Sequence, residues 1–203
     1  MFDLPTDLPA DLVPLSWLIG VWEGTGVIDY EADGVRYAGE FTHRVSFSHD
    51  GGPALNYSAS AWMLHGEGDE QTREALVSEV GFWRLSRPMT DADPGPGLLP
   101  AVTAGPVRTA DDVEALRTAE DGFAIDVLLV HSDGVSELYL GQVRGPRIDI
   151  ATDFVARTVG SKPYTAATRM YGLVDGHLLW AWDIAALGTE LGAHASARLA
   201  RVD

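Results

Sequence analysis

Histidine is the residue type in this 203-residue chain best suited to hold a metal or to transfer a proton near neutral pH. Cysteine is absent, which excludes disulfides, thiolate catalysis, zinc–thiolate centres and iron–sulfur clusters. No two histidines lie two residues apart, the spacing that places both on one face of a strand. A conventional zinc site therefore has little support. The six histidines are His43, His49, His65, His131, His177 and His194.

A single histidine is enough to hold iron when a porphyrin supplies the other four ligands. The pattern alone does not show which histidine would do so. His43 and His131 fall on apolar strand faces, whereas His194 shares its face with Ser196 and Arg198, as surface histidines usually do. The remaining three lie in or beside predicted turns and are expected to be solvated: His49, His65 and His177.

A glycine-rich pattern, G-x-W-x-G-x-G, is formed by Gly20, Trp22, Gly24 and Gly26. Alternate glycines let a strand curve or let another backbone approach closely, and a tryptophan is able to close the end of a barrel. The spacing differs from the dinucleotide-binding G-x-G-x-x-G, and no βαβ unit follows. Taken alone, the pattern favours a structural role over a binding role.

Composition narrows the classes of function. The formal net charge of -16 argues against nucleic acid or an anionic membrane as the main partner. No apolar run approaches the roughly 20 residues that a spanning helix needs. The chain contains neither the G-x-S-x-G motif of serine hydrolases nor a phosphate-binding loop. The sequence therefore predicts a cytoplasmic protein that binds neither nucleic acid nor membrane.

Period-two alternation of apolar and polar residues dominates the chain and predicts strands joined by short turns. Such a series indicates an all-β fold, either a sandwich or a closed antiparallel up-and-down β-barrel of the lipocalin or fatty-acid-binding type. We expect the ten-stranded barrel, because closure removes exposed strand edges and leaves room for one small ligand. The ten predicted strands are 21–30, 41–47, 55–61, 75–86, 122–131, 135–144, 147–157, 163–174, 177–186 and 191–202.

Two segments depart from this alternation. Residues 11–18 predict a short N-terminal helix capped by Asp11, with Pro14 in its first turn. Residues from about 87 to 120 are rich in Pro, Gly and acidic side chains and predict a flexible insertion. The whole chain, 1–203, is expected to form one domain.

Several segments together resemble the nitrobindin family of haem-binding barrels. The opening segment, 11–27, reads DLVPLSWLIGVWEGTGV and contains the glycine pattern intact. The match covers nearly the whole chain apart from the predicted insertion. The other similar segments are 45–51, 78–83, 129–137 and 171–201.

The resemblance implies a ferric haem b inside the barrel, with His194 as the axial iron ligand and Arg169 as a basic residue that contacts the haem. Arg169 would pair with a propionate or help to draw in an anion. The opposite iron position would stay open on an apolar distal side. With the resemblance, four small or aromatic residues are also expected to bind the cofactor, since small residues leave room for a flat macrocycle: Gly20, Trp22, Gly24 and Gly26.

The activities implied are isomerisation of peroxynitrite to nitrate and binding of nitric oxide. Ala32 departs from a haem-contacting Thr of some family members, and 189–193 lacks their Gln and Pro. Two alternatives remain open: a carrier of an apolar ligand without haem, and a carrier or sensor of nitric oxide without catalysis. The sequence leaves the oligomeric state open, with a homodimer as one option.

Overall fold

The computed structural model describes residues 8–66, 68–103 and 108–202. The alternating segments form eleven strands and the remaining regular structure is short. A 3₁₀ helix covers Ala10–Leu18, a second 3₁₀ turn covers Gly68–Glu70, and helix α1 covers Ala110–Glu114. The strands are β1 (Gly20–Ala32), β2 (Val35–Ser48), β3 (Ala54–His65), β4 (Thr72–Ala75), β5 (Glu79–Leu85), β6 (Phe123–His131), β7 (Val135–Arg144), β8 (Arg147–Arg157), β9 (Tyr164–Val174), β10 (His177–Ala186) and β11 (Gly192–Arg201).

The strands close into an antiparallel barrel. β1 pairs with β2 on one side and with β11 on the other, so that the first and last strands meet. β4 and β5 both pair with β3, β4 along its second half and β5 along its first half. They are therefore two parts of one interrupted barrel strand, and the predicted ten-stranded up-and-down barrel is confirmed.

The glycine-rich pattern lies at the seam between the first and last strands. A Cβ atom on Gly24 would overlap the carbonyl oxygen of Arg198, and one on Gly26 would overlap that of Ser196. Trp22 is fully buried, and its Nε1 donates a hydrogen bond of 2.7 Å to the carbonyl of Leu18 in the first helix. The glycines thus allow β11 to approach β1, and Trp22 ties the helix to the barrel.

A side chain at this seam should be costly. We expect Gly26→Ala to destabilise the protein by about 1–3 kcal/mol, because overpacked atoms must push β11 away. Gly160→Ala is the matched control, since a Cβ atom there meets nothing within 4 Å. Urea unfolding measures both changes. Equal stability of the two variants would show that the seam accepts a side chain. The structural role of the glycine-rich pattern would then be contradicted, and a binding role would again be open.

The predicted N-terminal helix is present, but its type and cap differ from expectation. It is a 3₁₀ helix preceded by Pro9, and no side chain caps it. Pro14 lies inside it and has no N–H to donate, which disfavours regular α-helical bonding. Asp11 is buried instead, with its carboxylate 3.4 Å from Arg87. No helix in the part of the chain that the structure describes is long and apolar enough to cross a membrane.

The segment from about 87 to 120 makes local contacts of its own and also packs against the barrel core. The Arg87 guanidinium pairs with Asp93 at 2.6 Å, and Thr109 forms a capping box at the start of α1. Val113 of α1 is buried in the main core cluster. Residues 104–107 lie outside the described residues. The flexibility of this segment stays a prediction.

Candidate functional site

The barrel encloses a cavity of about 410 Å³, within the usual range of small-molecule sites. Its wall is mostly aromatic and aliphatic, with several polar side chains converging on it. The four residues of the glycine-rich pattern, Gly20, Trp22, Gly24 and Gly26, are not part of this wall. The polar side chains on the wall that matter for its chemistry are His43, Tyr57, Glu79, His131, Tyr164, Arg169 and His194.

His194 reaches the cavity because β11 contains a β-bulge. The pairing of β11 with β10 includes Ala193 and Ala195 but skips His194 between them. A bulge shifts the inward–outward alternation by one residue and re-aims a side chain. His194 therefore lies on the cavity wall. The strict alternation that placed it outside, beside Ser196 and Arg198, is wrong at this point.

The His194 ring is held by packing and has an unused nitrogen. Tyr30 and Trp182 contact it edge to face, with ring centroids 5.4 Å and 5.5 Å away. Nδ1 is buried and has no hydrogen-bond partner among the described residues. Burial, and to a lesser extent the charge of Arg169, lowers the pKa of His194 to about 4. The ring is therefore neutral at pH 7 and offers a lone pair, as a metal-ligating imidazole must.

A second neutral histidine, His43 on β2, lines the same cavity. Trp180 donates a hydrogen bond from its Nε1 to Nδ1 of His43 at 3.1 Å. Burial lowers the pKa of His43 to about 4. The cavity thus contains two uncharged imidazoles in different hydrogen-bonding states.

Three other residues of the wall, Arg169, Glu79 and His131, form a buried ion cluster with Glu137. Two Arg169 nitrogens bind the two Glu79 carboxylate oxygens, each at 2.8 Å, and one also lies 3.2 Å from Glu137. The His131 Nε2 lies 2.6 Å from a Glu137 oxygen. All four residues are at least 93% buried, so these charges compensate one another rather than meeting water.

The protonation states in the buried ion cluster follow from these contacts. Burial alone would raise the pKa of Glu79, but the charge and hydrogen bonds of Arg169 hold that pKa at about 2. Burial would likewise lower the pKa of His131, yet the hydrogen bond to Glu137 and the charge of Glu79 raise it above its ordinary value. The cluster therefore favours the ionised form of both carboxylates and the protonated form of His131.

Trp182 connects the buried ion cluster to His194. The Arg169 guanidinium lies over the Trp182 ring, 3.9 Å from its centroid, while the edge-to-face contact with His194 is made by the same tryptophan. The structure therefore brings Arg169 and His194, the two sequence-predicted side chains, onto one wall. The charge of Arg169 is already matched by carboxylates, so it is not an uncommitted anion receptor.

Sequence reasoning did not identify Glu79 and Glu137 as site residues. The alternation of apolar and polar residues does indicate them, since each carboxylate occupies an inward position of its strand. Glu79 has the same phase as the buried Trp83, and Glu137 has the same phase as the buried Tyr139. A charged residue at a core position of a strand indicates a buried polar network.

Comparisons with known proteins place the chain among haem-binding barrels. A family model described as a THAP4-like, heme-binding beta-barrel domain matches residues 11–201. A curated peroxynitrite isomerase from Leifsonia xyli subsp. xyli is 60% identical over 203 residues, covering all of both chains. One from Clavibacter michiganensis subsp. michiganensis is 58% identical over the same full lengths. The crystal structure of Rv2717c from M. tuberculosis superimposes with a TM-score of 0.66 at 24% identity, covering 99% of this chain and 100% of that one.

Proposed function

The chain belongs to the family of THAP4-like, heme-binding beta-barrel domains, and we propose that it holds ferric haem b on His194 and isomerises peroxynitrite to nitrate. The family agrees with the haem-binding barrel that the resemblance implies. Full-length relatives named peroxynitrite isomerase at up to 60% identity support the activity. The observation that carries the choice of ligand is the neutral, unpartnered His194 ring inside the barrel cavity.

The residues around the cavity fit this cofactor. When bound, ferric haem would supply the iron centre at which the O–O bond of peroxynitrite rearranges. His194 offers a lone pair without first having to lose a proton at pH 7. Tyr30 and Trp182 fix the plane of its ring from two sides, a role that a hydrogen-bonded carboxylate or carbonyl often fills. The apolar wall keeps water away from the reacting anion.

The other sequence-predicted residues act at a distance in this proposal. Arg169 positions His194 through Trp182, on which its guanidinium stacks. The glycine-rich pattern supports haem binding by shaping the wall at the β1–β11 seam, where Gly24 and Gly26 bring the two backbones together.

Peroxynitrite decay tests the activity. In stopped-flow mixing at pH 7, haem-loaded protein should accelerate decay and raise the yield of nitrate, whereas the apo-protein should match buffer. Hemin at the same concentration without protein is the control for catalysis by the cofactor alone. Equal decay with loaded and apo protein would contradict the isomerase and leave the carriers. We also propose nitric oxide as a ligand of the same iron, to be followed by the shift of the haem absorption band.

For the oligomeric state, we propose a homodimer formed through an outer apolar row. Four outward-facing side chains lie opposite one another on consecutive strands, and three are largely exposed: Phe82 at 53%, Leu128 at 42% and Phe154 at 61%. Leu138 completes the row between Leu128 and Phe154. No member is charged, so two copies of a chain of net charge -16 could meet here without placing carboxylates face to face.

The outer apolar row predicts a dimer that a single charge disrupts. Phe82→Asp should shift the protein from dimer to monomer in sedimentation equilibrium, because two carboxylates would be buried at the contact. Val27→Asp, at an exposed site on β1, should leave the dimer intact. A wild-type protein that sediments as a monomer at micromolar concentration would contradict the homodimer. The cytoplasmic location and the lack of nucleic-acid and membrane partners stay predictions.

A further inference from the structure

We propose that His43 contacts the ligand, donating a hydrogen bond from its Nε2–H to an oxygen atom of an anion bound in the cavity. This inference rests on the proposed function and deepens it. It replaces the apolar distal side expected from the sequence with a site in which His43 is a neutral donor. The chemical class that such a donor selects is a small oxyanion, or another anionic acceptor, over a neutral diatomic ligand.

The position of the proton on His43 follows from its neighbour. The Trp180 indole has only a donor, so its 3.1 Å hydrogen bond requires a lone pair on Nδ1 of His43. A neutral imidazole with a lone pair on Nδ1 carries its hydrogen on Nε2. Trp180 therefore fixes the tautomer in which Nε2 is a donor.

The Nε2–H group of His43 is free to bind a ligand. It has no hydrogen-bond partner among the described residues and, unlike Nδ1 of His194, it is not sealed by surrounding atoms. Three other donors deep in the wall are engaged or enclosed. Tyr57 and Tyr164 donate to carboxylates of the buried ion cluster, and the indole nitrogen of Trp182 is sealed.

The two histidines face the cavity at successive levels of one wall. The His43 ring contacts Trp180 with centroids 5.1 Å apart, and the His194 ring contacts Trp182 at 5.5 Å. Both tryptophans are on β10, two residues apart and on the same face, which corresponds to roughly 7 Å along the strand. A ligand that occupies the cavity beside His194 thus has His43 as its neighbouring donor.

The tautomer is measurable without any cofactor. In apo-protein labelled with ¹⁵N, long-range ¹H–¹⁵N correlation should show the His43 ring protonated on Nε2 and unprotonated on Nδ1 at pH 7. In Trp180→Phe, which removes the indole donor, this preference should weaken. A proton on Nδ1 of His43 in the unsubstituted protein would overturn the proposal.

The donor role of His43 is tested with fluoride and nitric oxide as iron ligands. The affinity for each is measured by the absorbance of the hemin-loaded protein. In His43→Phe, the affinity for fluoride should fall on the order of ten-fold or more, since a hydrogen bond to a charged acceptor is lost. The affinity for nitric oxide should change by less than about three-fold, because that ligand is neutral. His43→Gln retains an N–H donor and should recover much of the fluoride affinity.

The outcomes separate the two proposals. An unchanged fluoride affinity in His43→Phe, with a normal haem spectrum, would overturn the role of His43 and leave the haem site standing. Equal losses of fluoride and nitric oxide affinity would also overturn it, since they indicate a disturbed pocket rather than a lost donor. Failure of the unsubstituted protein to bind hemin would overturn the proposed function and this inference together.

Discussion

Replacing Arg169 by methionine is expected to destabilise the barrel by about 3–5 kcal/mol, a loss typical of removing one partner from a buried ion pair. Methionine fills a similar volume but leaves Glu79 and Glu137 buried without their shared cation. Arg169 is 4% exposed, so water cannot replace the lost hydrogen bonds. Urea unfolding of the apo-protein measures this change without involving the cofactor.

Two further variants show whether the loss comes from stranded charge. Arg36→Met removes the partner of Asp29 in an exposed pair and should leave the unfolding midpoint unchanged. Adding Glu79→Gln to Arg169→Met should restore part of the stability, because one buried carboxylate is neutralised. An Arg169→Met protein as stable as the unsubstituted one would mean that the buried ion cluster does not hold the barrel together.

The titrating groups of the cavity predict a stability maximum near neutral pH. His43 and His194 have folded-state pKa values of about 4 against an ordinary 6.5, so their contribution is present above pH 6.5 and lost as the pH falls toward 4. Glu79, at about 2 against 4.5, adds a loss below pH 4.5. The pKa of His131 is raised, so its contribution is complete below pH 6.5 and lost as the pH rises through the raised value.

The loss of stability on the acid side, between pH 6.5 and 4, can be assigned to individual residues. Urea midpoints of the apo-protein should fall less between pH 6.5 and 4 in His194→Ala than in the unsubstituted protein, since one group that must be protonated on unfolding is gone. Parallel profiles for the two proteins would show that His194 titrates normally and is not buried as a neutral ring.

The barrel was predictable because alternation and turn residues agree along the chain. Asp33-Gly34, Asp133-Gly134 and Asp175-Gly176 each separate two paired strands, and all six residues adopt positive φ except Asp133. Closure could not be read from any local segment. It depends on β1 and β11 meeting, which the β1 glycines permit by leaving out side chains that would block the last strand.

The site was less predictable because its two key features are not local. The inward direction of His194 depends on a β-bulge. The polarity of the surrounding residues does not indicate this one-residue shift in strand pairing. Only the family resemblance identified His194 as the ligand. The compensation of Arg169 depends on Glu79, which is 90 residues away in the chain. The resemblance implies that Arg169 contacts a propionate, but nothing in the sequence near Arg169 indicates that Glu79 already pairs with it.

Replacing His194 by alanine is the substitution expected to affect function most. The barrel should remain folded, because the ring lines a cavity and Tyr30, the core residue that it contacts, keeps its hydrogen bond to the carbonyl of Ala186. Hemin affinity should fall by on the order of 10- to 100-fold or more, since even loss of a residue that only supports a metal ligand costs that much. Hemin that still binds to the variant should lack the absorption band of histidine-ligated haem. Peroxynitrite decay should drop toward the rate with free hemin.

Titration of the apo-protein with hemin, followed at the intense haem absorption band, tests the central claim most directly. The unsubstituted protein should bind one hemin per chain with the spectrum of a histidine-ligated ferric haem. His194→Ala should lose that spectrum, while His43→Ala and His131→Ala should keep it. The lone pair of His43, on Nδ1, already accepts the hydrogen bond from Trp180, and Nε2 of His131 is hydrogen-bonded to Glu137. A His194→Ala protein with unchanged spectrum and affinity, alongside loss in His43→Ala or His131→Ala, would contradict His194 as the iron ligand.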